Sequence, residues 1–92
     1  MRSFYVDFAC VMSDEFDFDW FDSVCDHFME DATVHDQSPH VDVEAREVHF
    51  VAAARADEPT GAVALVKEAA LEAVRAVGGN SVSASWESVQ DY

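Results

Sequence analysis

A chain of 92 residues has room for one hydrophobic core and not for two, and half of it is hydrophobic, well above what a disordered chain of this charge carries. Five basic residues against nineteen acidic ones give a formal charge of −14, which repels phosphate backbones and anionic bilayers and argues against direct binding to nucleic acid or membrane. Apolar runs are broken at Asp7 and at Lys67-Glu68, so no segment approaches the roughly 20 apolar residues of a membrane span.

The N-terminal stretch Phe4-Tyr5-Val6-Asp7 alternates where a secretory signal would be continuously apolar, so a cytoplasmic location is expected. Phe4, Val6, Phe8 and Cys10 then alternate with Tyr5, Asp7, Ala9 and Val11, the period of a strand from Phe4 to Met12. Ser13-Asp14-Glu15 supplies a turn, with Asp14 as N-cap and Asp17 in the place of a capping-box glutamate. Across Asp17 to Glu30 the apolar Phe18, Phe21, Val24, Cys25, Phe28 and Met29 fall at helical spacing, opposite Asp19, Asp22, Asp26 and Glu30. Trp20 sits at the edge of that stripe, as a lid on the core or an anchor for a partner.

A second strand has two candidate positions, Thr33-Val34-His35 and His40-Val41-Asp42-Val43, divided by a turn at Pro39. A third strand runs from Arg46 to Ala54, with Val48, Phe50, Ala52 and Ala54 on one face. Asp57-Glu58-Pro59 opens a second helix, with Asp57 as cap, a stripe of Val63, Val66, Ala70, Val74 and Val77, and Gly78-Gly79 as stop. Ser81 to Val89 alternates Val82, Ala84 and Trp86 with Ser83, Ser85 and Glu87, a fourth strand. The order βαββαβ predicts a single α+β domain over residues 1–92, a ferredoxin-like sandwich with an antiparallel sheet and both helices on one face.

Catalytic chemistry finds no footing in these residues. Cys10 and Cys25 fall on apolar faces and are expected as free, unreactive thiols. The serines lack a nucleophile elbow, and Gly61, Gly78 and Gly79 make no phosphate loop. Asp14, Asp17 and Asp19 fail the EF-hand spacing, and the four histidines fail the spacings of zinc sites. Neither catalytic nor metal-binding residues are therefore assigned, and no cofactor is expected. The nearest approach to a small-ligand or metal site is His35, Asp36 and His40 around the proline turn.

Two surfaces remain as candidates for recognition. One is the acidic helix: Asp14, Asp17, Asp19, Trp20, Asp22, Asp26 and Glu30. The other is the uncovered sheet face, expected to show Tyr5, Asp7, Ala9 and Val11 beside His49, Val51 and Ala53, flanked by Ser83, Ser85 and Glu87. That set lacks the stacked aromatics and basic residues of an RNA-binding sheet of similar topology. The expected function is a non-enzymatic interaction module that binds or inhibits a cellular protein with a basic surface, through the acidic helix, through Tyr5, Ala9, Val11, His49 and Val51, or both. A homodimer through the sheet face is a second partner reading. A DNA mimic is a third, because helix carboxylates four residues apart lie roughly 6 Å apart, near the spacing of phosphates.

The run Arg46-Glu47-Val48-His49-Phe50-Val51, followed by Asp57-Glu58-Pro59 and an Ala/Val-rich helix, resembles small ferredoxin-like proteins of actinobacteria and their phages. The resemblance implies the sandwich fold and a phage or mobile-element accessory protein acting on a host protein, and it transfers no site residue. The acidic helix and the long segment from Thr33 to Val43 depart from that pattern.

Overall fold

A computed structural model describes residues 1–13, 17–78 and 82–92. Its elements are β1 (Arg2–Met12), α1 (Phe18–Met29), β2 (His40–Asp42), β3 (Glu47–Ala56), α2 (Pro59–Val77) and β4 (Val82–Asp91). The strands form one antiparallel sheet in the order β2-β3-β1-β4, the ferredoxin-like arrangement that the element order predicts. Phe4, Val6, Phe8, Cys10 and Met12 of β1 and Val48, Phe50, Ala52 and Ala54 of β3 join the buried faces of both helices in one core, so both helices cover the same face of the sheet. No helix among the described residues is long and apolar enough to cross a membrane.

Helix α1 starts one turn later than Asp14 would place it. Asp17 is the N-cap, and its Oδ1 accepts from Asp19 N at 2.9 Å and Trp20 N at 3.3 Å, satisfying two donors of the first turn. Asp14, Glu15, Gly79 and Ser81, assigned above to a cap, a stop and a strand end, lie outside the described residues. The buried stripe is Trp20, Val24 and Phe28, with Phe21 and Cys25 half-buried. Phe18 and Met29, expected in that stripe, are 62% and 51% exposed. At 100° per residue they lie roughly 120° and 140° around the helix from Val24, outside the arc a helix can bury on one side. The wide Trp20 ring takes the place assigned to Phe18, and its Nε1–H donates to Gly78 O at 2.9 Å, tying the start of α1 to the end of α2.

Both candidate positions of the second strand lie beside β3. The regular strand is His40–Asp42, while His35 makes an isolated bridge to Ala53, with bonds of 2.9 and 2.7 Å. Asp36, at φ 53°, breaks the ladder between them, and Ser38 N resumes it by donating to Val51 O at 2.7 Å. Gln37 turns inward, where its Nε2 donates to Asp31 O at 2.8 Å and approaches Phe28 O and Val34 O, so it joins the last turn of α1 to the carbonyls of the loop that follows.

Helix α2 takes Glu58 as its N-cap residue, not Asp57, and without a side-chain bond; Pro59 in the first turn needs no donor there. Ala62, Val66, Ala69, Ala70, Ala73 and Val74 are its buried face, and the small side chains let it lie close over Ala52 and Ala54. Val63 and Val77, expected in the stripe, are half-buried at its margins. Gly78 ends the helix at φ 69°, a conformation open to glycine, and its N–H donates to Val74 O at 2.9 Å.

The fourth strand holds the main correction. Trp86 pairs with Ala9 while Ala84 pairs with Cys10, so one extra residue, Ser85, is bulged out of the ladder. Side chains alternate with a period of two, so the bulge exchanges faces beyond it. Val82 and Ala84 stay on the helix side as expected, but Trp86, Ser88 and Gln90 move to the open face and Glu87, Val89 and Asp91 to the helix side.

Candidate interaction surfaces

The pairing registers lay the open face out in rows across the sheet. His40 is opposite His49, His49 opposite Ala9, and Ala9 opposite Trp86. Trp86 and His49 are two strands apart, roughly 10 Å, yet their rings approach to 5.3 Å because only the Ala9 methyl lies between them. Closing over it, they leave Ala9 without exposure. On its other side His49 stacks on His40, with centroids 4.5 Å apart and planes 9° from parallel. Its Nδ1 lies 3.0 Å from Asp7 Oδ1; a carboxylate only accepts, so this nitrogen bears the hydrogen. The Nε2 is 3.7 Å from Glu47 Oε1. At 8% exposure His49 is a strut that orients its neighbours, not a group offered to solvent.

A second aromatic group stands two rows away. Tyr5 is opposite Ala53, and Ala53 is opposite His35. Tyr92, just past β4, stacks on Tyr5 with centroids 5.9 Å apart, meets the edge of His35 and donates its hydroxyl hydrogen to Asp36 Oδ2. That hydrogen bond, helped by His35, holds the Asp36 carboxyl below its usual range and pushes the Tyr92 phenol up. His35 Nε2 is buried and has no hydrogen-bond partner.

Of the five sheet residues expected at an interface, Ala9, His49 and Val51 are thus buried, while Tyr5 is half-buried and Val11 36% exposed. The accessible groups are Trp86 (44% exposed), Tyr92 (62%), His40 and Val11, interleaved with Asp7, Asp36, Asp42 and Glu47. Strict alternation assigns Trp86 to the core and ends the last strand at Val89, so neither Trp86 nor Tyr92 is among the expected site residues, and His40 is expected only as a candidate ligand beside His35 and Asp36. The one local signal was Ser83-Ala84-Ser85 before a tryptophan, a run with little side chain to anchor the register. Glu87, expected to flank this face, points to the helix side and pairs with Lys67 at 3.6 Å.

The acidic helix is a separate surface. Asp19, Asp22, Asp26 and Glu30 are exposed, Asp17 is engaged as the cap, and Trp20 is a core lid at 7% exposure. Since α1 packs on the opposite side of the sheet from Trp86 and Tyr92, a flat partner cannot touch both surfaces at once. The candidate ligand set His35, Asp36 and His40 does not converge either: His35 Nδ1 is 3.3 Å from Asp36, but His40 stacks on His49. Among the described residues no group of three or more His, Cys, Asp or Glu is placed to hold a metal ion.

Both cysteines are free, Cys10 buried and Cys25 half-buried. Burial pushes each thiol up to about 11 from 9.0, with Asp22 and Asp26 adding to the effect at Cys25. Two units leave roughly 100-fold less thiolate at pH 8. Iodoacetamide is therefore expected to label native Cys25 roughly 100-fold more slowly than the urea-unfolded chain, read by mass spectrometry. The folded state keeps these protons while unfolded thiols lose theirs, so this contribution to stability is present below about pH 9 and is lost as pH rises to about 11.

No protein-family model and no curated protein matches this chain.

Proposed function

We propose that this protein is a non-enzymatic interaction module that receives a lysine- or arginine-rich region of a partner protein on its open sheet face. The observation that carries the reading is the alternation on that face of accessible aromatic rings, Trp86, Tyr92 and His40, with the carboxylates of Asp7, Asp36, Asp42 and Glu47. Among the residues paired across the face, Arg55, opposite Ser3 at one end, is the only lysine or arginine. Aromatic faces and carboxylates both attract guanidinium and ammonium groups, and aromatic anchors supply most of the affinity at protein interfaces. The same carboxylates disfavour pairing of the face with its own copy or with a phosphate backbone. A cytoplasmic accessory protein of a phage or mobile element that binds and inhibits a host protein fits this chemistry.

Capture of a host protein from lysate by the immobilised chain tests the proposal. Trp86→Ala with Tyr92→Ala is expected to weaken capture at least about tenfold, the usual effect of losing an aromatic anchor. Asp19→Lys, Asp22→Lys and Asp26→Lys together are expected to change it little. Capture that survives the first pair of changes and fails with the second set would move the function to the acidic helix.

A further inference from the structure

A third surface lies at the opposite edge of the sheet from β2. Strand β4 is ten residues long and among the described residues pairs only with β1, whereas the β2 edge is three residues long and follows a proline. The bond from Tyr92 N to Ser3 O, 3.1 Å, fixes the parity of the β1–β4 ladder. Antiparallel pairs alternate between bonded and non-bonded, so Gln90, Ser88 and Trp86 also point their backbone groups at β1. Met12 N, which donates to Arg46 O on the other side of β1, agrees with that parity. The N–H and C=O groups of Glu87, Val89 and Asp91 therefore face outward.

The bulge at Ser85 places the side chains of these same three residues on the helix side. There Glu87 and Val89 border a groove of about 430 Å³ between α2 and β4, with Pro59, Val63 and Ala64 along its apolar wall, and Asp91 borders an adjoining hollow that shares Pro59 and Val89 with it. Val89 is 38% exposed in it. Glu87 and Asp91 stand two residues either side of Val89, and among the described residues each is held by an exposed ion pair, to Lys67 at 3.6 Å and to Arg2 at 2.6 Å. Exposed pairs of this kind contribute little and are readily exchanged for another cation.

We infer that this groove binds an extended segment of another protein as a fifth strand on β4, with an apolar side chain opposite Val89 and a lysine or arginine opposite each of Glu87 and Asp91. Main-chain bonds to three outward-facing residues supply the attachment, and the groove with Glu87 in it and Asp91 just beyond its end supplies the selection. A second copy of this chain fits poorly. Antiparallel pairing of two β4 strands about Val89 would set Glu87 against Asp91 twice, between molecules that each carry −14. The site is distinct from the open face and stands or falls separately.

The test uses the full chain and a nine-residue, end-blocked peptide whose central five residues are Lys-Thr-Val-Thr-Lys, a sequence symmetric enough to pair in either direction. Amide exchange followed by NMR is expected to slow at least about tenfold at Glu87, Val89 and Asp91 on saturation, with the Trp86 indole signal unmoved. A peptide N-methylated at its valine and at the threonine that follows, which removes the central main-chain donor in either direction, and one with Glu for both Lys are each expected to bind at least about tenfold more weakly. Absence of binding, equal binding of the N-methylated peptide, or changes confined to Trp86 and Tyr92 would overturn the inference. So would slowed exchange at these three amides in the protein alone that vanishes on dilution, since a second copy would then hold the edge.

Discussion

Phe50→Ala is expected to destabilise the fold by about 3–5 kcal/mol, measured by urea unfolding of the variant beside the parent chain. Phe50 lies in β3, one of the two central strands, has no exposure and meets the edge of Phe28 at 5.2 Å, so its ring joins the sheet to α1. Its neighbours along the helix side of β3 are Val48 and Ala52, too small to close over the space an alanine would leave. A domain of this size has roughly 5–15 kcal/mol in total, so the variant stands near the limit of folding at 37 °C. A loss below about 1 kcal/mol would mean that the core is arranged otherwise.

Trp20→Ala is expected to cost a similar 3–5 kcal/mol, for a different reason. The indole is the lid at the open end of the helix pair, and its bond to Gly78 O is a direct tie between the N-terminus of α1 and the C-terminus of α2. Trp20→Phe separates the two contributions, since it keeps most of the buried area and strands the carbonyl, at about 1–2 kcal/mol. Below its melting temperature Trp20→Phe should capture the partner as well as the parent does. Loss of capture with unchanged stability would return Trp20 to the role of a partner anchor.

The order of elements was legible because β1, β3 and both helices each bury one face, and a buried face imposes its period on the residues that form it. The phase of α1 was less legible. Phe18, Trp20 and Phe21 are all large and apolar, and the choice among them is made by where Asp17 caps the helix and where Trp20 finds Gly78 O, a residue 58 positions away. The edge strands were hardest. In β4 every residue from Ser83 on is exposed, so burial does not enforce the register, and a single bulge at Ser85 moved Trp86 from the expected core to the surface. The aromatic rows of the open face follow from that bulge and from the small Ala9 and Ala53, whose significance appears only when three strands are aligned. The acidity of α1 was plain in the sequence, but that its face lies across the sheet from the aromatic one was not.

Hydroxyl-radical footprinting of the captured complex, read by mass spectrometry, tests most directly whether the open face is the contact surface. Both surfaces carry exposed reactive side chains: Trp86, Tyr92 and His40 on the sheet, Phe18 and Met29 on α1. The expected result is that Trp86, Tyr92 and His40 lose reactivity on binding while Phe18 and Met29 keep theirs. Protection of Phe18 and Met29 with Trp86 still reactive would contradict the assignment and place the partner on the acidic helix.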